Sequence, residues 1–213
     1  MIIHNLNKEL PDSLKKELHD TIMVDKYLFP SKTSKNPIYS SFEISTKPHF
    51  SESVEQYYYD LIAGVLDRLG LRGRAAVYAT KWCQVYNNDM GGNHDTHTHY
   101  TGNAMFSWVH FVDVPKDQKC FYFLKNKQKY YPPTQKTGDF IVFPSWASHG
   151  ADPVKVSGVN RTIVSGNILC MEYKNTPDDP MSFVCSSNND NGKQQLIWEM
   201  KHDNEKTIYQ QQG

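Results

Sequence analysis

The chain has 213 residues, and its 23 Lys plus Arg are balanced by 23 Asp plus Glu. That length supports one domain with a sizeable core, and the neutral balance leaves no broad electrostatic case for nucleic acid or an acidic membrane surface. No apolar run approaches a membrane span, Met1 to Lys8 lack the core of a secretion signal, and Cys83, Cys120, Cys170 and Cys185 form no close pair, so reduced thiols in a cytoplasmic protein are expected.

Two helices open the chain. Pro11-Asp12 starts the first, with Leu14, Leu18 and Ile22 on one stripe. In the second, Ser51 is the expected N-cap, Glu52 and Glu55 suit the first turn, and Gly70 ends it. Val54, Tyr57, Tyr58, Leu61, Ile62, Val65 and Leu66 recur at helical spacing and read as packing against a sheet. From Ala75 the pattern turns to strands. Val77 to Tyr86 alternates, with Tyr78, Trp82, Gln84 and Tyr86 on one face that lines a pocket or packs a sheet. Asn87 to Gly92 reads as a flexible loop.

The histidine-rich stretch Asn93-His94-Asp95-Thr96-His97-Thr98-His99 follows. As a strand it projects Asp95, His97 and His99 to one face, so that two imidazoles can hold one ion. Further short strands are expected at Ala104–Val112, Cys120–Leu124, Asp139–Phe143 and Arg161–Tyr173, separated by turn residues as in an all-β barrel. Lys125 to Lys129 reads as a solvated hairpin, and Tyr130-Tyr131-Pro132-Pro133 as a surface turn or an aromatic wall. His149 follows the apolar segment Gly138 to Trp146 and is the best third ligand; His4, His19, His49 and His202 read as surface or hydrogen-bonded residues. Three facial ligands with open positions suit non-heme Fe(II) oxygen chemistry.

Arg161 shares a strand face with Ile163, Ser165 and Asn167. Ile163 on that face argues for burial, and a buried guanidinium needs a partner. Either a ligand carboxylate gripped bidentately or a structural ion pair meets that need. After Pro180 the composition shifts. Ser186 to Gly192 is too polar to bury much and is expected to be mobile, while Leu196-Ile197-Trp198 reads as a short docking segment.

His97-Thr98-His99, Met105 to Phe111, Gly138 to Ser145, His149, Pro153, Arg161 and Ser165 to Ile168 together resemble the 2-oxoglutarate/Fe(II)-dependent oxygenases, in particular a branch of small phage-encoded or marine bacterial proteins similar to prolyl 4-hydroxylases. The resemblance covers residues 78–173. It implies a mainly β protein with a double-stranded β-helix, a cupin-like jelly-roll barrel supported by N-terminal helices. Residues 1–180 form a single oxygenase domain, with helical support over 1–74 and the barrel core over 75–175, followed by a partly flexible extension over 181–213.

The implied cofactors are Fe(II), 2-oxoglutarate as cosubstrate and O2, with ascorbate as an accessory. Decarboxylation to succinate and CO2 would drive hydroxylation of a small-molecule or peptide substrate. By the same resemblance, His97, His99 and His149 are the iron ligands. His99 stands where most of the superfamily has a carboxylate, and Asp95 is its fallback. Arg161 clamps the far carboxylate of 2-oxoglutarate, with Ser165, Asn167 and Tyr86 beside it. Two alternatives remain: a cupin-like three-His metal enzyme that does not use 2-oxoglutarate, and a non-catalytic β-barrel binding or virion module.

Overall fold

The computed structural model describes residues 2–28, 38–44, 50–69, 75–87, 92–99, 104–116, 118–155, 158–172, 183–188, 194–203 and 206–210. Both expected helices form. Helix α1 spans Asp12–Leu28, with Asp12 and Lys26 placed to complement its dipole. Leu18 and Ile22 are buried, and Leu14 packs beside them. Helix α2 spans Glu52–Arg68, and the Ser51 side chain accepts a hydrogen bond from the Val54 N–H at 3.4 Å, satisfying one of the free donors of the first turn. Its buried face carries Val54, Tyr58, Leu61, Ile62, Val65 and Leu66. Gly70 lies outside the described residues, as do 88–91 of the expected loop.

The strands, in chain order, are β1 (His4–Asn7), β2 (Ile38–Ser40), β3 (Ala75–Asn87), β4 (His94–His97), β5 (Ala104–Asp113), β6 (Phe121–Lys125), β7 (Gln128–Tyr130), β8 (Asp139–Pro144), β9 (His149–Ala151), β10 (Asn160–Glu172), β11 (Phe183–Asn188), β12 (Gln194–Asp203) and β13 (Lys206–Gln210). They make two sheets. The major sheet runs β1-β8-β5-β10-β3-β11-β12-β13, with β2 also on β3. The minor sheet runs β4-β9-β6-β7. The expected mainly β, jelly-roll architecture is present, although among the described residues the two sheets are not joined by hydrogen bonds into one closed cylinder.

Strict alternation sorts the major sheet's side chains into two cores. Cys83, Val85, Trp108, Val112, Phe140, Val142, Val164 and Ile168 face the helices. Tyr86, Val109, Phe111, Ile141, Phe143 and Ile163 face the minor sheet, where Phe121, Phe123 and Ala151 meet them. This second core is the floor of the site. One polar group is built into the helix side. The His110 Nε2–H donates to the Lys8 carbonyl at 2.9 Å, which leaves Nδ1 to accept from the Tyr58 hydroxyl at 2.9 Å.

Some expectations fall on the chain's end. Ser186 to Asn188 lie in β11, which pairs with β12 and with the early part of β3, and Leu196 to Trp198 lie within β12. Residues 189–193 lie outside the described residues, as do the side chains of Tyr78, Cys170 and Cys185.

Candidate metal centre

The minor sheet delivers the first two imidazoles as a direct cross-strand pair. His97 on β4 stands opposite His149 on β9, with ring centroids 4.4 Å apart. Gly150 permits this close pairing: a Cβ there would come within 2.7 Å of the Tyr122 hydroxyl and 2.8 Å of the His94 carbonyl. His99 lies past the end of β4. Its backbone N–H donates to the Ser145 carbonyl at 2.9 Å, tying it to the end of β8, and its ring lies 4.9 Å from His97 and 5.1 Å from His149. One ligand atom from each of the three histidines lies within 4.8 Å of the others. Donors about 2 Å from a shared ion in a tetrahedral set stand about 3.3 Å apart, so the rings must close by roughly 1.5 Å to hold one. An all-imidazole set suits iron, zinc, copper or nickel.

Hydrogen bonds orient the rings. The His149 Nδ1–H donates to the Ala147 carbonyl and the His97 Nδ1–H to the Asp95 carbonyl, both at 2.8 Å. A carbonyl only accepts, so each ring carries its proton on Nδ1 and keeps the Nε2 lone pair for a metal. Burial lowers the pKa of His149 to about 3 and that of His99 to about 4. Both are therefore neutral ligands at pH 7, with no proton to displace.

Asp95 does not share this arrangement. The register of β4 shifts between His94 and His97; Asp95 is exposed and accepts from the Asn93 side chain at 3.1 Å. The same shift brings in His94, which the alternation pattern did not single out. Its ring lies 4.3 Å from that of His97, burial lowers its pKa to about 4, and its Nδ1 lies 3.2 Å from the Tyr86 hydroxyl. Tyr86 in turn donates to Gln84 Oε1 at 3.3 Å.

A narrow cleft adjoins the cluster, walled by Trp82, Gln84, Tyr86, Ser107, Phe143, Ile163 and Ser165 together with His94 and the three candidate ligands. Asn167 does not line it; its carboxamide oxygen accepts from Ser107 at 2.9 Å. Tyr130 and Tyr131 are exposed on the outside of the minor sheet, where Tyr131 donates to Asp152 at 2.5 Å.

Arg161 is the strongest electrostatic feature. It pairs with Tyr86 across β10 and β3, is 1% exposed, and none of its three guanidinium nitrogens has a hydrogen-bond partner among the described residues. Its charge rests 3.9 Å from the centre of the Tyr86 ring. That contact offsets part of the desolvation cost, but an ion so buried normally has an anion. Tyr86 stands between the guanidinium and the cavity, of which Arg161 is not a wall residue. Burial raises the Tyr86 phenol to about 12, so it remains a hydrogen-bond donor.

Comparison with known proteins places the fold. No family model matches the chain, and no curated protein is similar in sequence. Solved structures do match. A prolyl hydroxylase from Trichoplax adhaerens, in complex with a hypoxia inducible factor oxygen degradation domain peptide fragment, superposes with a TM-score of 0.54 at 10% identity, covering 78% of this chain and 82% of that one. The non-heme alpha ketoglutarate dependent carbocyclase SnoK from nogalamycin biosynthesis gives 0.53 at 11%, covering 82% and 83%. The epimerase SnoN from the same biosynthesis gives 0.52 at 11%, covering 78% and 76%. The chain shares the fold of these three proteins.

Proposed function

We propose that this protein is an Fe(II)- and 2-oxoglutarate-dependent oxygenase that hydroxylates a small-molecule or peptide substrate. One observation carries the reading: a buried guanidinium with no hydrogen-bond partner among the described residues lies across one cavity wall from three imidazoles, within the jelly roll that the matched structures share. Bound iron would supply the dioxygen chemistry, coupled to decarboxylation of 2-oxoglutarate to succinate and CO2.

The chain's own residues supply the rest. His97 and His149 present Nε2 because backbone carbonyls hold their Nδ1 protons, and His99 closes the set from the strand end. Three neutral ligands leave the full double charge on a ferrous ion, and Arg161 adds one more in a poorly solvated interior. A dianion is the complement to that excess. Arg161 would grip the far carboxylate, with Tyr86 and Ser165 able to donate from adjoining strands. Seating a carboxylate on Arg161 requires the Tyr86 ring to yield. Asn167 would act through Ser107.

The all-imidazole set favours a second reading, a cupin-like three-His enzyme that does not use 2-oxoglutarate, and Arg161 discriminates the two. Succinate release from 2-oxoglutarate in the presence of Fe(II) and O2, without added substrate, is the test. Wild type is expected to turn over slowly, and His97→Ala and His149→Ala are each expected to lose turnover at least a hundredfold. Normal turnover in both variants would refute the ligand assignment.

A further inference from the structure

We infer that Tyr122 is a positioning residue for the metal ligands: its hydroxyl bridges to Thr96 across the back of β9 and keeps His97 opposite His149. The inference rests on the three histidines holding an ion, and it applies to either reading of the chemistry. The ladder between the two ligand strands is short. β4 meets β9 at two registered positions, His94 with Ala151 and His97 with His149. The three steps from 94 to 97 therefore answer the two steps from 151 to 149, so Asp95 and Thr96 together face Gly150, as in a bulge. A bulge loosens the ladder at the place where the ligand pair depends on it. Asp95 adds no restraint there, since it is exposed and bonded to Asn93 on its own segment.

The restraint comes from the third strand. β6 pairs with the other edge of β9, and Tyr122 stands opposite Gly150. Its neighbours Phe121 and Phe123 belong to the core between the sheets, so Tyr122 points to the outer face. There its hydroxyl lies 3.0 Å from Thr96 Oγ1. The bridge passes over Gly150, where an added Cβ would stand 2.9 Å from Tyr122 Cζ, so only glycine leaves the path open. One side chain thus ties β6 to β4 across two strand spacings of about 4.8 Å each. The ring itself is fixed from outside. Tyr122 is 5% exposed; Lys129 Nζ lies 4.2 Å from its centre and donates to Asp152 at 2.5 Å. Tyr131 donates to the other oxygen of Asp152 and meets Tyr122 edge-on at 6.0 Å. Asp152 follows directly on β9, so the network returns to the strand that carries His149. The ligand atoms must still draw together to hold an ion, and a β4 free to move off β9 would add to that cost. The bridge removes this freedom in advance without touching the site.

The test titrates the full chain with Mn(II) by calorimetry and with Co(II) by visible absorption, which reports ligand number and geometry. Tyr122→Phe removes only the hydroxyl. It should weaken Mn(II) binding about tenfold and alter the Co(II) bands. Thr96 is exposed, so Thr96→Val breaks the same bond without disturbing the core and should show the same loss. The double variant should lose no more than either single one, because one bond is at stake. Thr96→Ser keeps the hydroxyl and should bind as the wild type does. Thermal melting confirms that each variant is folded. Wild-type affinity and an unchanged Co(II) spectrum in both Tyr122→Phe and Thr96→Val would overturn the inference, as would losses that add in the double variant. If the wild type binds both ions and the variants match it, the bridge alone is refuted. If the wild type binds neither ion, the three-histidine assignment falls and the inference with it.

Discussion

Replacing Arg161 by Met should make the unliganded protein more stable and deaf to 2-oxoglutarate. The three guanidinium nitrogens are buried without hydrogen-bond partners among the described residues. Each unsatisfied buried polar group costs about 1–3 kcal/mol, more when charged. The Tyr86 ring, 3.9 Å away, returns about 2 kcal/mol as a desolvated cation–π contact. A net penalty on the order of 2 kcal/mol remains. Met keeps an unbranched chain of similar reach and removes the charge, so the apoprotein should gain about that amount, or about 4–8 °C in Tm for a chain of this length. Ligand stabilisation runs the other way. 2-Oxoglutarate at a hundred times its Kd should stabilise the wild type by about 2.7 kcal/mol and Arg161→Met hardly at all. Anaerobic thermal melts with Mn(II), with and without 2-oxoglutarate, read both effects. A variant that loses stability while unliganded would show that Arg161 is a structural cation with a protein partner. A retained 2-oxoglutarate shift would refute its role as the anchor.

Three further outcomes are expected. Gly150→Ala places a methyl group within 2.8 Å of the His94 carbonyl, which must push β9 from β4; calorimetric Mn(II) titration should show at least a tenfold weaker site and melting a loss of about 1–3 kcal/mol, and an unchanged affinity would mean the strand pair does not set the cluster. His99→Asp adds a negative charge beside the ion, so Mn(II) affinity should rise while 2-oxoglutarate affinity falls; both rising together would contradict the charge-complement argument. His110 is buried neutral, its pKa lowered from 6.5 to about 4 by burial. The unfolded chain then takes up the proton first as pH falls, so stability is full above pH 6.5 and is lost between there and pH 4, by about 2 kcal/mol at pH 5 for this group alone. Urea unfolding of wild type and His110→Gln at pH 7.5 and pH 5 checks it: the variant should lose less on acidification, and an equal loss would remove His110 as a cause.

What the sequence revealed, and what it concealed, follows from the kind of pattern involved. Helices α1 and α2 were legible because their buried stripes recur at helical spacing and Ser51 stands at the cap. β8 and β10 were legible because apolar residues continue on both faces of a sheet covered on both sides. Arg161 was marked by Ile163 on its own face, and the structure buries both. The β4 face was misjudged at Asp95. Alternation assumes an unbroken ladder, and the irregularity between His94 and His97 depends on where β9 sits in space. That single register shift turns Asp95 outward and His94 inward. The short strands β1 and β2 also carried no signal, since their pairing with β8 and β3 is made by the partner strand and not by their own few residues. The stacking of Arg161 on Tyr86 is a cross-strand relation between residues 161 and 86, which no local pattern encodes.

A crystal structure with Mn(II) and 2-oxoglutarate bears most directly on the proposed assembly. One ion should sit among the imidazoles of residues 97, 99 and 149, with a carboxylate of the cosubstrate on the guanidinium of residue 161. Electron density showing no ion there, or the diacid seated away from that guanidinium, would contradict it.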